Sequence, residues 1–181
     1  MRRYSILFGL LLFTFATGPA TAGVSLFAGY GLGGLSQNSL RFDETNSHLM
    51  GGLSWYREPG GAAIRLIRGT FERTDIPVHG DNDLDYYAFD VAAPQSTRSF
   101  PFSVGIGIGR YKQAQAIPIS ESAFIRRYET AWGLHLALFR QWAVRHRWSG
   151  WAELEVHDVA FTRSTVMVTA DVGFSLRLTR H

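Results

Sequence analysis

The sequence predicts an all-β protein, an eight-stranded antiparallel transmembrane up-and-down β-barrel. Three observations support this fold class. The chain begins with a segment typical of export signals, and its remainder contains strand-length segments in which large apolar side chains alternate with small or polar ones. The connections between these segments also alternate in length. No later apolar stretch has the 18 or so residues of a transmembrane helix, so strands would make the crossing.

The N-terminal segment has the three regions of a secretory signal. A basic start precedes an apolar run of about 13 residues, and small residues follow at Ala20 and Ala22. The apolar run is shorter than the roughly 20 residues that a membrane-spanning helix needs. We therefore predict a cleavable signal peptide at 1–22 and one barrel domain at 23–181.

The composition narrows the classes of function. The chain has no cysteine, which excludes a disulfide framework, thiol chemistry and a lipid-anchoring cysteine. The formal net charge is +3, but Arg2 and Arg3 lie in the predicted signal peptide. The remaining chain has 16 basic and 15 acidic side chains. This balance gives no support for a nucleic-acid partner.

The segment 100–111 carries the clearest strand pattern. Its large apolar side chains all fall on one face, which comprises Phe100, Phe102, Val104, Ile106 and Ile108. The opposite face is mostly glycine. Because alternate side chains of a strand point to opposite faces, the glycine face suits a narrow barrel interior and the apolar face suits lipid.

The last segment, 165–179, alternates over about 13 residues, enough for a tilted membrane strand of about 9–11. The other predicted strands are 24–33, 48–57, 62–73, 84–92, 129–139 and 148–161. In the third of the eight, Arg65 and Arg68 fall on opposite faces. The sequence therefore does not assign the lipid-facing side of that strand.

The connections predict which end of the barrel faces outward. Short connections are expected at 58–61, 93–99 and 141–147, and longer ones at 34–47, 74–83 and 112–127, with a short last one at 162–164. Short periplasmic turns and longer outer loops are typical of outer-membrane barrels. Aromatic side chains near the strand ends, among them Tyr111 and Phe161, fit girdles at the membrane interfaces, although aromatic residues also favour strands in general.

These patterns resemble the small outer-membrane β-barrel proteins of the OmpA-transmembrane-domain and OmpX kind over most of 23–181. The resemblance depends on the signal peptide and on the strands FSVGIGIGRY at 102–111, WAELEVH at 151–157 and VGFSLRL at 172–178. It implies residence in the bacterial outer membrane, contact with outer-membrane lipid, and the barrel assembly machinery as a partner during biogenesis.

One feature departs from the resemblance. Proteins of this kind usually finish on an aromatic residue that the assembly machinery reads. This chain finishes on His181, and its last aromatic residue is Phe174.

Polar side chains predicted to face the lumen form the candidate site. An eight-stranded barrel is just filled by its own side chains. The faces assigned above predict a lumenal polar cluster of Glu129, His135, Glu153, Glu155, His157, Asp171 and Arg177, with Asp90 as a further candidate. The cluster is either a structural network of paired charges, or a narrow polar path or proton-sensitive plug in which His135 and His157 titrate.

We predict no catalytic residue, cofactor or metal site. Glu153, Glu155 and His157 lie at alternate positions of one strand, so they spread over about 13 Å and do not converge on one ion.

The expected function is non-enzymatic: a monomeric barrel with a structural or surface-interaction role through its outer loops. Arg126 and Arg127, beside Tyr128, are either contacts for lipopolysaccharide phosphates or simply an exposed loop end. A narrow solute channel and a soluble lipocalin-like barrel with inverted faces are alternatives. A further alternative is a lipid A deacylase-like enzyme, which would use His157, although Val159 replaces the serine of that family's His-x-Ser.

Overall fold

The computed structural model describes residues 23–37, 45–56, 62–72, 84–93, 101–120, 123–162 and 164–178. The predicted signal peptide lies outside these ranges. Within them, no helix has the length and apolar character needed to cross a membrane.

Eight antiparallel strands form one closed barrel. They are β1 Gly23–Gln37, β2 Thr45–Tyr56, β3 Ala63–Glu72, β4 Leu84–Ala92, β5 Ser103–Ser120, β6 Ala123–Arg145, β7 Trp148–Val159 and β8 Thr165–Arg177. Each strand pairs with the next, and β8 pairs with β1. The predicted fold class is confirmed. We call the end at which β1 begins and β8 finishes the inner end, and the opposite end the outer end.

The pairing registers set the tilt of the strands. Following paired residues from Leu26 through all eight strands leads back to β1 at Ser36, ten residues nearer the outer end. A stagger of this kind inclines the strands to the barrel axis. Rows of paired residues therefore climb toward the outer end as they pass from β1 to β8.

The predicted faces are confirmed on the clearest strands. Ile106 on β5, Leu134 on β6 and Phe174 on β8 are 58%, 61% and 60% exposed on the outer wall. On each of these strands, the neighbouring residues that alternate with the exposed ones point into the lumen and are buried or partly buried. The large apolar rows thus cover the outside of the barrel, which is the reverse of a soluble β-barrel.

The lumen is filled by large side chains toward the outer end. Fully buried there are Phe71, Leu84, Tyr86, Tyr111, Val159 and Met167. The prediction that Tyr111 and Phe161 belong to an interface girdle is wrong, because both occupy lumen-facing positions and are buried. Aromatic side chains that do lie exposed on the wall near strand ends include Trp55, Tyr128 and Trp148.

The predicted loop at 112–127 is wrong. β5 continues to Ser120 and β6 begins at Ala123, so these residues form a long outer hairpin with a register shift between Pro118 and Ser120. The stretch lacks apolar alternation because a paired extension outside a membrane needs no lipid-facing row. Backbone hydrogen bonds between the two strands hold this hairpin together instead.

The connection at the inner end of β6 is also shorter than the predicted 141–147. β6 continues to Arg145 and β7 starts at Trp148. The intervening turn contains His146, whose φ of 44° lies in the left-handed region that favours glycine.

Candidate functional site: the polar network in the lumen

Arg65 of β3 lies at the centre of the lumen. Its Nε donates hydrogen bonds of 2.9 Å to both oxygens of Asp90 on β4, and its Nη1 donates one of 2.9 Å to Glu153 Oε2 on β7. Its Nη2 lies 2.6 Å from Glu153 Oε1 and 3.9 Å from Glu155 Oε1. The guanidinium also stacks 4.4 Å from the ring centre of Phe139. One cation therefore joins strands from opposite sides of the barrel.

Three imidazoles extend the network, each bonded to a carboxylate. His48 Nδ1 lies 2.7 Å from Asp171 Oδ1, and His157 Nε2 lies 3.0 Å from Glu155 Oε2. His135 Nε2 lies 3.3 Å from Asp90 Oδ2. These three contacts suit imidazoles that donate an N–H to an ionised oxygen. They place every histidine of the network beside a carboxylate.

Two buried tyrosines connect the imidazoles. Tyr111 OH lies 2.8 Å from His157 Nδ1, and Tyr86 OH lies 3.0 Å from His48 Nε2. Tyr86 OH also donates a 3.4 Å hydrogen bond to Glu155. Because His157 Nε2 faces Glu155, the hydroxyl of Tyr111 is positioned to donate to Nδ1 of a neutral ring. The network is therefore continuous from Asp171 to the Arg65 cluster.

The charges of this network do not balance without bound protons. Asp90, Glu153, Glu155 and Asp171 contribute four carboxylates, whereas Arg65 contributes one permanent positive charge. All are buried, and a buried charge without a partner is strongly unfavourable. The remaining negative charge has to be compensated by protons bound within this hydrogen-bonded network.

Glycines make room for the rings of the network. A Cβ built on Gly107 of β5 would overlap the ring of His135, and one built on Gly69 of β3 would overlap the ring of Tyr86. The glycine face of β5 that the sequence shows is thus a surface against which lumenal rings pack.

Five of the seven residues predicted for the lumenal cluster lie in this buried network: His135, Glu153, Glu155, His157 and Asp171. The other two lie at its ends. Glu129 is on the outer extension of β6, where its carboxylate accepts hydrogen bonds from Thr162. Arg177 is at the inner end, with its guanidinium 5.9 Å from the ring centre of Tyr56.

Sequence reasoning missed Arg65, His48, Tyr86 and Tyr111. Arg65 had no assigned face, because a second arginine lies on the other face of the same strand. His48 and Tyr86 belong to the rows that alternate with exposed residues on β2 and β4. Strict alternation from Leu49 and Tyr87, both exposed on the wall, would have placed them inside.

A recess opens at the inner end of the lumen. It measures about 260 Å³, and its lining includes hydroxyls of Ser25, Ser54, Ser103, Ser149 and Ser175 with the cations Arg147 and Arg177. A narrower extension of about 40 Å³ shares several of these side chains and reaches Arg65 and Glu153. The Arg65 cluster therefore forms the floor of the recess.

The geometry bears on two further possibilities, a metal site and a deacylase-like site. Among the residues that the structure describes, no group of three histidine, aspartate or glutamate side chains is arranged to hold a metal ion. His157 is fully buried and faces the lumen. It is not on the outer wall, where a deacylase-like site would need it.

Several solved structures have a fold similar to that of this barrel. Ail, the attachment invasion locus protein of Yersinia pestis, solved in complex with the heparin analogue sucrose octasulfate, matches with a TM-score of 0.59 and 12% identity over 87% of this chain and 99% of that chain. Neisserial surface protein A matches with a TM-score of 0.60 and 12% identity over 86% and 97%. The fold is that of the small outer-membrane β-barrels.

A third solved structure, also of an outer-membrane protein, is similar to a comparable degree. A major outer membrane protein from Thermus thermophilus matches with a TM-score of 0.57 and 15% identity over 87% of this chain and 100% of that chain. No protein-family model and no curated protein sequence matches the chain. At these identities the structural matches show the fold alone.

Proposed function

We propose that this chain is a monomeric, non-enzymatic protein of the bacterial outer membrane whose closed barrel anchors an outer hairpin and loops that make surface contacts. The observation that carries the proposal is the apolar outer wall, on which side chains such as Ile106, Leu134 and Val172 are more than half exposed. An apolar band around a closed barrel is stable in lipid and unfavourable in water.

The filling of the lumen supports an anchor rather than an open channel. The side chains of Tyr86, Tyr111 and Met167 are fully buried in the outer half. The Arg65 cluster lies across the middle, joined to Asp90 and Glu153. An open pore would require this cluster to separate, which would leave buried charges unpaired.

The outer hairpin supports a role in surface contact. β5 and β6 have 18 and 23 residues, whereas a membrane crossing takes about 9–11. The excess length at the outer end continues as paired strands to Ser120 and Ala123. A paired extension carries the backbone beyond the lipid in a regular, hydrogen-bonded form.

The test is fractionation followed by gel mobility of boiled and unboiled samples. We expect the protein in the outer-membrane fraction, with an unboiled band that migrates apart from the boiled one because the folded barrel resists the detergent. Recovery in a detergent-free periplasmic extract would overturn the proposal and favour the lipocalin-like alternative.

Planar-bilayer recording tests the closed lumen, for which we expect no steady conductance at neutral pH. A steady unitary conductance would favour the channel.

A further inference from the structure

Cations and aromatic rings alternate in one row on the outer wall. Arg68 of β3 pairs with Tyr87 of β4, Tyr87 pairs with Arg110 of β5, and Arg110 pairs with Trp132 of β6. All four side chains are exposed. Lys112 lies one outward-facing position further along β5 and is also exposed. We call Arg68, Tyr87, Arg110, Lys112 and Trp132 the wall patch.

The wall patch borders the apolar band. The outward-facing row next to it on the inner side consists of Leu66, Phe89, Ile108 and Leu134, paired across the same four strands. The row next to it on the outer side consists of Thr70, Asp85, Lys112 and Thr130. The patch therefore lies where the apolar wall gives way to polar side chains, at the depth of lipid headgroups.

The strand tilt makes Arg68 the deepest cation of the patch. Rows of paired residues climb toward the outer end from β3 to β6, so Arg68 lies lower than Arg110, and Lys112 lies higher than both. The guanidinium of Arg68 lies 5.6 Å from the ring centre of Tyr87, and Lys112 Nζ lies 4.2 Å from that of Tyr128. A cation that faces lipid beside Leu66 is unfavourable unless an anion meets it there.

The spacing of the cations suits a phosphate group. Arg68 and Arg110 are two strands apart, about 10 Å, and Arg110 and Lys112 are about 7 Å apart along β5. Arginine binds phosphate through paired N–H donors, and lysine as a point charge. Asp85, which pairs with Lys112, is the acidic side chain within these rows, so the three cations keep an excess of positive charge.

We infer that the wall patch binds the phosphorylated headgroup of a glycolipid in the outer leaflet. The aromatic rings of Tyr87 and Trp132 would pack on the sugar or on the upper acyl chain, while Arg68, Arg110 and Lys112 hold the phosphate. This inference rests on the proposed function, since a lipid ligand requires residence in a membrane. The site differs from the predicted contact at Arg126 and Arg127, which lie further out on β6.

The test is a titration of the folded barrel in neutral detergent with diphosphoryl lipid A and with dephosphorylated lipid A, read by native mass spectrometry. We expect the phosphorylated lipid to bind at least about tenfold more tightly, because each charge-assisted contact contributes substantially. The triple variant R68Q/R110Q/K112Q is expected to lose that preference.

The matched control removes the same charge at the inner end. R140Q/R145Q/R147Q neutralises three exposed cations and is expected to keep the preference. Equal losses in the two triple variants would overturn the inference, since they would show unspecific attraction. Displacement of lipid A by millimolar inorganic phosphate would also overturn it and indicate a site for the free ion.

Failure of the lipid site is distinguishable from failure of the proposed function. Each variant is first inserted into phosphatidylcholine vesicles and examined for heat-modifiable mobility. Barrels that insert but show no lipid A preference contradict only the lipid site. Wild-type protein that does not insert contradicts the proposed function, and with it the inference.

Discussion

An arginine in the lumen and an arginine on the outer wall have opposite environments. Arg65 and Arg68 lie three positions apart on β3, yet the first points inward and the second outward. Arg65 is buried and bonded to Asp90 and Glu153. Arg68 is exposed, with its guanidinium near the ring of Tyr87. The lumen satisfies its cation with side chains of this chain, whereas the wall leaves its cation available to the surroundings.

The difference shows what each surface contributes. The lumen stabilises the closed barrel, because the Arg65 cluster joins charged groups of β3, β4 and β7 that lose a partner if any one of them is removed. The wall sets how the barrel sits in lipid, because its rows change from apolar to basic and aromatic toward the outer end. We therefore expect the same residue type to have a large effect on stability in the lumen and a small one on the wall.

Arg65→Met should give the largest effect. It leaves Asp90 and Glu153 buried without their cation, so we expect the free energy of unfolding to fall by about 3–5 kcal/mol. Arg68→Met, the matched control, should change it by less than about 1 kcal/mol. Urea unfolding in phosphatidylcholine vesicles, followed by tryptophan fluorescence, measures both. Similar losses in the two variants would contradict the contrast between lumen and wall.

Gly107→Ala and Gly51→Ala compare the same change on the two surfaces. A Cβ on Gly107 would overlap His135 and the backbone of β4, so we expect a loss of about 1–3 kcal/mol. A Cβ on Gly51 comes no closer than 3.1 Å to its neighbours and should change stability by about 0.5 kcal/mol or less. The same unfolding experiment decides, and the prediction is wrong if Gly51→Ala costs as much as Gly107→Ala.

Glu129 should give the smallest effect, and it lies beyond both surfaces on the outer extension. Hydrogen bonds from the hydroxyl and then from the backbone N–H of Thr162 hold the pKa of Glu129 below its usual value. A lowered pKa means that this contact stabilises the folded state above about pH 4.3, the ordinary glutamate value, and is lost as the pH falls through the lower folded value.

Thr162→Val tests this assignment, because it removes the hydroxyl and keeps the backbone N–H. We expect the pKa of Glu129, followed by NMR titration of its side-chain carboxyl, to rise toward the ordinary value. Since Glu129 lies on the outer extension and is partly exposed to water, the stability of the barrel should hardly change. An unaltered titration in this variant would show that the hydroxyl does not set the pKa.

The strand period was sufficient to predict the wall. Val104, Ile106 and Ile108 fall on one face of β5, and the opposite face is mostly glycine. The sequence therefore predicted that the apolar face is the outer wall of the barrel and that this wall faces lipid. The outer hairpin did not follow, because beyond the lipid the residues around Gln115 need no apolar row and read as a loop.

The lumenal network was predictable only in part. Glu153, Glu155 and His157 followed from the alternation of β7. Their cation did not, because Arg65 and Arg68 are equivalent in a single strand and only the register with Asp90 on β4 separates them. Contacts across the barrel, such as that between His48 and Asp171, join positions 123 residues apart. No pattern within a single strand predicts a contact between residues so far apart in the sequence.

The pairing of β1 with β8 has a consequence for how the protein reaches its membrane. Ser25 to Gln37 find their second partner strand in Thr165 to Arg177, the last strand of the chain. Until β8 is in place, two strand edges have unpaired backbone groups, and a lipid core offers such edges no partner. A chain that lacks its final strand would therefore expose both edges at once. Insertion into lipid therefore has to be coupled to closure of the barrel.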